Sequence, residues 1–224
     1  MSFLAMTSEE SILIICAHND DQIIGMGGTI AKYASEGKKI HSIFFSLGEG
    51  SHLHLKKEFI AKKRYFEAKK ADEILGTTGT ENLGFPDLNI EQGITERGRD
   101  QIKKLILQKI EEYTPSKIFT NATDDSHHDH RAVANLIQEL IDEKKVYCDV
   151  YVFEVWHIAK LKGRHLPKLV VDTSEHFKKK LEAFRAHKSQ WMVYYEFVWK
   201  LYIKDRINGK KHKGKYAEVF YKVN

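Results

Sequence analysis

Apolar positions come in two rhythms along this chain. The first is the short unbroken run, seen in Ser11-Ile12-Leu13-Ile14-Ile15-Cys16-Ala17 and again in Lys39-Ile40-His41-Ser42-Ile43-Phe44-Phe45. Runs of this length, bounded by turn residues, read as strands covered on both faces. The second is the three-and-four spacing of helices, as in Ile102, Leu105, Ile106, Ile110 and in Val133, Leu136, Ile137, Leu140, Ile141. In chain order the pattern predicts strands at 11–17, 39–45, 81–85, 117–121, 146–156, 168–171 and 217–221. Helices are predicted at 23–36, 55–75, 95–113, 131–143 and 175–187, with Gly37 and Gly76 as C-terminal stops. Strands separated by helices of this length build βαβ units, so the expected fold class is α/β, a Rossmann-like, mostly parallel sheet flanked by helices.

Composition narrows the picture further. The chain has 224 residues, 42% apolar and 30% charged, which fits one globular domain spanning 1–224. No internal repeat or low-complexity linker interrupts it, and three prolines leave little material for a hinge. No apolar stretch is long enough for a membrane span. The first ten residues lack a basic region and reach Glu9-Glu10 quickly, unlike a secretion signal. Cys16 and Cys148 are too few for a disulfide framework and sit in apolar runs, so a reduced, cytoplasmic protein is expected. The net charge of +5 is mild, and the lysines, including the run Lys178-Lys179-Lys180, read as solvated helix faces and not as a nucleic-acid footprint. The loop Gly209-Lys210-Lys211-His212-Lys213-Gly214-Lys215 adds a local positive field that would favour an anionic substrate.

Two polar clusters carry the candidate chemistry. His18-Asn19-Asp20-Asp21 follows the first strand, and Asp124-Asp125-Ser126-His127-His128-Asp129-His130 follows the fourth. In open α/β sheets ligands bind at the carboxyl ends of the strands, so both clusters belong at one edge. Asp20 and Asp21 alone could simply cap the next helix. Together the clusters supply mixed nitrogen and oxygen ligands for a hydrolytic zinc site with a position left open for water. Such a site also needs a carboxylate beside the water as general base, and of two adjacent aspartates one can face the metal while the other faces the water. Gly25-Met26-Gly27-Gly28 is a tight turn into a helix but lacks the order of a dinucleotide fingerprint.

Ala17-His18-Asn19-Asp20-Asp21-Gln22 resembles the A-H-P-D-D-E signature of the LmbE-like, or PIG-L, zinc-dependent N-deacetylases. Asp125-Ser126-His127-His128-Asp129-His130-Arg131-Ala132-Val133 resembles their second signature, H-x-D-H-x-A. Gly27-Gly28-Thr29-Ile30, Ser46-Leu47-Gly48-Glu49-Gly50, Arg64 with Glu67 and Leu75-Gly76, His187-Lys188-Ser189-Gln190 and Tyr216-Ala217-Glu218-Val219-Phe220 follow in the family's order. The resemblance implies one zinc ion per chain, bound by His18, Asp21 and His130, with Asp20 as general base. It implies that His127 stabilises the oxyanion or protonates the leaving amine, that Asp129 orients a neighbouring imidazole, and that Arg64 contacts the substrate. The implied activity is metal-dependent N-deacetylation, hydrolysis of a non-peptide C–N bond in an N-acetylglucosamine-type sugar within a conjugate. The implied partner is therefore a small amino-sugar conjugate, with a homo-oligomer allowed.

Three positions depart from the signatures. Asn19 stands for proline, Gln22 for glutamate, and His128 for the proline of H-P-D-H. None is an implied ligand or base, so the metal chemistry should survive, with Gln22 altering what surrounds the ligands and His128 placed at the surface. The rival readings are a catalytically silent sugar- or nucleotide-binding protein of the same fold, and an amidase on a non-sugar conjugate. His52 and His54 read as a solvated loop. Trp156-His157 could face the crevice or be buried, and the aromatic stretch Trp191 to Trp199 reads as core or subunit interface.

Overall fold

The computed structural model describes residues 10–51, 54–155 and 165–224. The expectations for the first nine residues, for His52 and for Trp156-His157 lie outside the described residues. The elements in chain order are β1 (Ser11–Cys16), α1 (Asp21–Ser35), β2 (Lys39–Phe44), α2 (Lys57–Leu75), β3 (Gly79–Asn82), α3 (Ile90–Arg97), α4 (Arg99–Tyr113), β4 (Lys117–Thr120), α5 (His128–Asp142), β5 (Asp149–Val152), β6 (Lys168–Asp172), α6 (Phe177–Ala186), α7 (Trp191–Lys211) and β7 (Ala217–Lys222).

The sheet runs β3-β2-β1-β4-β5-β7-β6, parallel from β3 to β5. Strand β7 is antiparallel to both β5 and β6. The α/β, mostly parallel architecture expected from the pattern is thus the one observed. Strand β1 lies near the middle and shows why its sequence is an unbroken apolar run. Ile12, Ile14 and Cys16 enter one core with α1, α6 and α7, while Leu13 and Ile15 enter a second with α4 and α5. The order of strands reverses between β1 and β4, which makes the crevice above their carboxyl ends the binding position of this fold.

Four expectations need correction. The helix expected at 95–113 is two helices, because Gly98 at φ 86° breaks the chain between α3 and α4. The third strand is Gly79–Asn82, earlier than 81–85. The aromatic stretch is the first half of a helix, α7, whose buried residues are only Phe197, Leu201, Asp205 and Gly209. Trp191, Met192, Tyr195 and Trp199 are each more than half exposed, so they are not core. Lys180 is no part of a solvated face: it is fully buried, with Nζ 2.8 Å from Asp205 Oδ2 and 2.6 Å from Glu218 Oε1.

Glu218 also reaches α1. Its two carboxylate oxygens accept from Gly28 N at 3.0 Å and Thr29 N at 2.7 Å, where Met26 interrupts the helical backbone. Gly28 is required there by packing, since a Cβ would lie 2.8 Å from Thr173 Cβ. The glycine turn is therefore filled by protein.

Candidate functional site

The chain leaves β1 at Ala17 and turns into α1 within four residues. That turn is fixed from both sides: Ala17 N donates to Asn121 Oδ1 at 3.0 Å, and His18 N donates to Asp21 Oδ2 at 3.0 Å. Asn121 Nδ2 then donates to the same Asp21 oxygen at 3.2 Å, tying the end of β4 to the first cluster. Asp20 occupies the N-cap position of α1 yet makes no side-chain cap hydrogen bond. Capping therefore does not account for its carboxylate.

Helix α5 brings in the second cluster. His127 is its N-cap, with Nδ1 accepting from Asp129 N at 3.2 Å. One turn on, His130 points inward and is fully buried. His18 Nδ1 lies 3.3 Å from His130 Nε2 and 3.8 Å from Asp21 Oδ2, and His130 Nε2 lies 3.1 Å from Asp21 Oδ1. Donor atoms sharing one tetrahedral zinc at bond lengths near 2.0–2.1 Å stand about 3.4 Å apart. The three residues offer metal-binding donor chemistry at comparable spacings, with Asp21 facing His18 through Oδ2 and His130 through Oδ1; His18 with Asp87 and Asp129 is a second group of donor atoms within 4.8 Å of one another. A ring nitrogen of His127 also lies within 4.8 Å of one on His18 and one on His130.

Both imidazoles of this trio are backed by carboxylates. His18 Nε2 is 3.0 Å from Asp87 Oδ1 and 3.3 Å from Asp129 Oδ2. His130 Nδ1 is 3.2 Å from Asp125 Oδ1, at an angle too poor for a formal hydrogen bond. Such backing fixes ring orientation and raises ligand basicity. Burial by itself would depress His18, but Asp129, Asp87 and Asp21 overcome it and push the imidazole up to about 10. His130 is likewise opposed by burial and lifted by Asp21 and Asp125 to about 9. Asp21 is held well below the usual carboxylate range, against its own burial, by His130 and His18. The cluster thus attracts positive charge at the very atoms that would bind a cation. His127 is the exception: burial and the neighbouring His130 and His18 charges bring it down to about 4.

A pocket of about 260 Å³ opens over the cluster, lined by His18, Asp20, Asp21, His127 and His130 on one side. Its other walls include Arg64, Asp87, Gln190 and Met192. Arg64 is 2% exposed, and its Nη2 lies 3.2 Å from Asp20 Oδ1. Asp129, implied to orient an imidazole, lies beside His18; its carboxylate also accepts from Leu88 N and Ile90 N. His128 is exposed and reaches Leu88 O with Nε2, and His54 is exposed. Gln22 is buried, donating from Nε2 to Asn19 O at 3.2 Å and accepting from the Cys16 thiol. Sequence reasoning singled out neither Asp87 nor Asn121. Only Pro86-Asp87 after an apolar segment marked the first, and nothing local marked the second.

Residues 13–141 match the PIG-L family model, described as GlcNAc-PI de-N-acetylase. The chain is 26% identical over 196 residues to a probable N-acetyl-alpha-D-glucosaminyl L-malate deacetylase 2 of Bacillus anthracis, covering 83% of this chain and 84% of the relative. An N,N'-diacetylchitobiose deacetylase from Pyrococcus horikoshii superposes with a TM-score of 0.79 at 21% identity, over 96% of this chain and 84% of that one. A 4-carboxy-2-hydroxymuconate hydratase from Pseudomonas putida superposes with a TM-score of 0.80 at 22% identity, over 96% of both chains. The fold is shared by proteins named for different reactions, so the reaction has to be argued from the site.

Proposed function

The chain belongs to the PIG-L family, and from that premise we propose that it is a zinc-dependent hydrolase removing the acetyl group from an N-acetylglucosamine-type amino sugar within a conjugate. The observation that carries this reading is the convergence of His18 Nδ1, His130 Nε2 and the Asp21 carboxylate within 3.1–3.8 Å of one another, with Asp20 alongside in an open pocket. His18, Asp21 and His130 would hold one ion per chain. Zinc bound there would act as a Lewis acid towards the amide carbonyl and acidify an attacking water.

The remaining steps fall to side chains. Asp20 takes the proton as water oxygen attacks the carbonyl carbon; the C–N bond then breaks and that proton passes to the amine nitrogen, giving acetate and the free amino sugar. His127 accepts from Asp129 N at Nδ1, so its neutral ring carries the proton on Nε2. That N–H is a donor for the tetrahedral oxyanion. Burial and the neighbouring His130 and His18 charges depress this imidazole and so disfavour its protonated form. Of the two roles left open by sequence, we take oxyanion stabilisation, supported by the Asp129 N–His127 Nδ1 contact. Asp129 and Asp87 orient His18.

A cytoplasmic location is part of this reading, and Cys16 and Cys148 are both free. Among the described residues no helix is long and apolar enough to cross a membrane.

The test is acetate release from N-acetylglucosaminyl malate, N,N'-diacetylchitobiose and other N-acetylglucosamine conjugates, with and without chelator. About one zinc per chain is expected by elemental analysis, with activity lost to chelator and restored by zinc. Asp20→Asn should keep the metal and lose ~10²–10⁴-fold in turnover, whereas His130→Ala should lose both. Wild type that takes up no zinc and releases no acetate would leave the silent-binder reading in possession. Metal loss in Asp20→Asn would exchange the roles of Asp20 and Asp21.

A further inference from the structure

The signature proline is replaced here by Asn19, and Asn19 is not a passive turn residue. It is fully buried, and its side chain bonds in both directions to one residue of α2. Its Oδ1 accepts from Arg64 Nε at 3.2 Å and Arg64 Nη2 at 2.6 Å, while its Nδ2 donates to the Arg64 backbone carbonyl at 3.0 Å. Proline offers neither an acceptor nor a donor in its side chain. The two-way clasp therefore exists only because asparagine stands at this position.

The consequence falls on Arg64. A guanidinium has five N–H donors in a rigid fork, and its use is decided by where the fork is held. Asn19 takes Nε and Nη2, and Nη2 also faces Asp20 Oδ1 at 3.2 Å. The group also lies against backbone: a Cβ at Gly48 would sit 2.6 Å from Arg64 Cζ and 2.8 Å from its Nη2. A buried cation held by an amide, packed on glycine backbone and facing a carboxylate has little freedom to swing. Three residues later on α2, Glu67 accepts from Ser189 N at 2.8 Å and from Ser189 Oγ at 2.5 Å, which ties the opposite pocket wall to the same helix.

We propose that Asn19 is a positioning residue: it locks Arg64 so that Arg64 holds the Asp20 carboxylate in one orientation. The proposal rests on the assignment of Asp20 as base. It adds to the substrate contact that resemblance implies for Arg64, which also lines the pocket. It also explains how a chain without the signature proline keeps the turn before Asp20 rigid, since a reciprocal side-chain clasp does the work of a fixed φ.

The experiment compares wild type, Asn19→Ala, Asn19→Asp, Arg64→Ala and the Asn19→Ala/Arg64→Ala pair on the best N-acetylglucosamine conjugate of the panel. Asn19→Ala should lower kcat ~10–100-fold, the size usual for a supporting group, with KM changed less than about threefold and zinc content unchanged. Asn19→Asp keeps the acceptor for Arg64 and should recover most of the loss. Adding Asn19→Ala to Arg64→Ala should cost nothing further, because the two act as one unit. The Arg64 Nε–H signal in NMR, protected from exchange in wild type, should lose protection in Asn19→Ala; this reading needs no activity and remains available if Arg64→Ala fails to fold. A rise in KM alone, multiplicative losses in the pair, or unaltered Nε–H protection would overturn the positioning role. If Asp20→Asn itself keeps full turnover, the fault lies with the base assignment; an inactive Asp20→Asn beside a fully active Asn19→Ala sinks this inference alone.

Discussion

Gln22 shows how one atom can decide what a position tolerates. Its amide donates from Nε2 to Asn19 O, and its Oε1 lies 3.8 Å from the Cys16 thiol, which also donates to His18 O at 3.3 Å, with Gln22 only 2% exposed. A glutamate there, as in the family signature, would set a carboxylate oxygen against the Asn19 carbonyl with no amide hydrogen to offer. Burial raises the pKa of such a carboxyl, so the cost is present above its folded-state pKa and disappears as pH falls and the acid regains a donor. Gln22→Glu is therefore expected to destabilise the protein by ~1–3 kcal/mol at pH 8 and by much less at pH 5, with zinc content unchanged. Thermal melts at the two pH values check this, and equal losses at both would show that the carboxylate finds another partner. Wild type inactive on every conjugate beside an active Gln22→Glu would overturn the enzyme assignment itself. The two clusters were legible in sequence because each is local, Asp21 three residues from His18 and His130 three from His127, while the pairing of His18 with His130, 112 residues apart, came from the family resemblance. Asp87 and Asn121 were not, because each meets its partner only across the sheet edge, 69 residues from His18 and 100 from Asp21.

Between elements, the same division appears. Alternating apolar runs and helical periods made the parallel sheet readable, since each strand's burial is written in its own side chains. The antiparallel seating of β7 between β5 and β6 was not readable, because strand order is settled by pairings made at long range. Helix α7 hid for a related reason: the packed stripe of Phe197, Leu201, Asp205 and Gly209 is narrow, and a second set of apolar residues including Trp191, Tyr195 and Trp199 lies outside it. Lys180 was misread because a lysine in a triplet of lysines carries no local mark of burial. It joins α6 to α7 through Asp205 and to β7 through Glu218, and Glu218 holds the interrupted turn of α1. Removing a cation from a buried pair leaves its partners uncompensated. Lys180→Met, which keeps volume and deletes charge, should cost ~3–5 kcal/mol of stability. Chemical denaturation measures it, and a loss below about 1 kcal/mol would mean that Asp205 or Glu218 is neutral in the folded protein. The value of about 6 for Asp205, raised by burial against the pull of Lys180, makes that outcome a real alternative near pH 6, so the measurement belongs at pH 8.

At the scale of the whole molecule, the outer face of α7 is the feature that the monomer leaves unexplained. Trp191, Met192, Tyr195, Trp199, Tyr202, Ile203 and Ile207 are each 45–69% exposed, and at 100° per residue they fall within a sector of about 160°. A contiguous apolar face of this kind marks an interaction surface. The charges on the helix point to a second copy as the occupant. Glu196 lies near one end, while Arg206, Lys210 and Lys211 lie at the other, so an antiparallel twofold pairing brings each acidic end to a basic one. Met192 also lines the pocket over the histidine–aspartate cluster, so the same pairing would build up the wall of that pocket. Sedimentation velocity is expected to show a dimer or larger assembly at micromolar concentration. Trp199→Glu should shift it towards monomer without altering zinc content, because Trp199 is remote in sequence from every ligand and lies on the exposed face. Wild type that sediments as a monomer up to ~100 μM, well above the Kd of a stable dimer, would free this face for a different partner and remove the oligomer from the account.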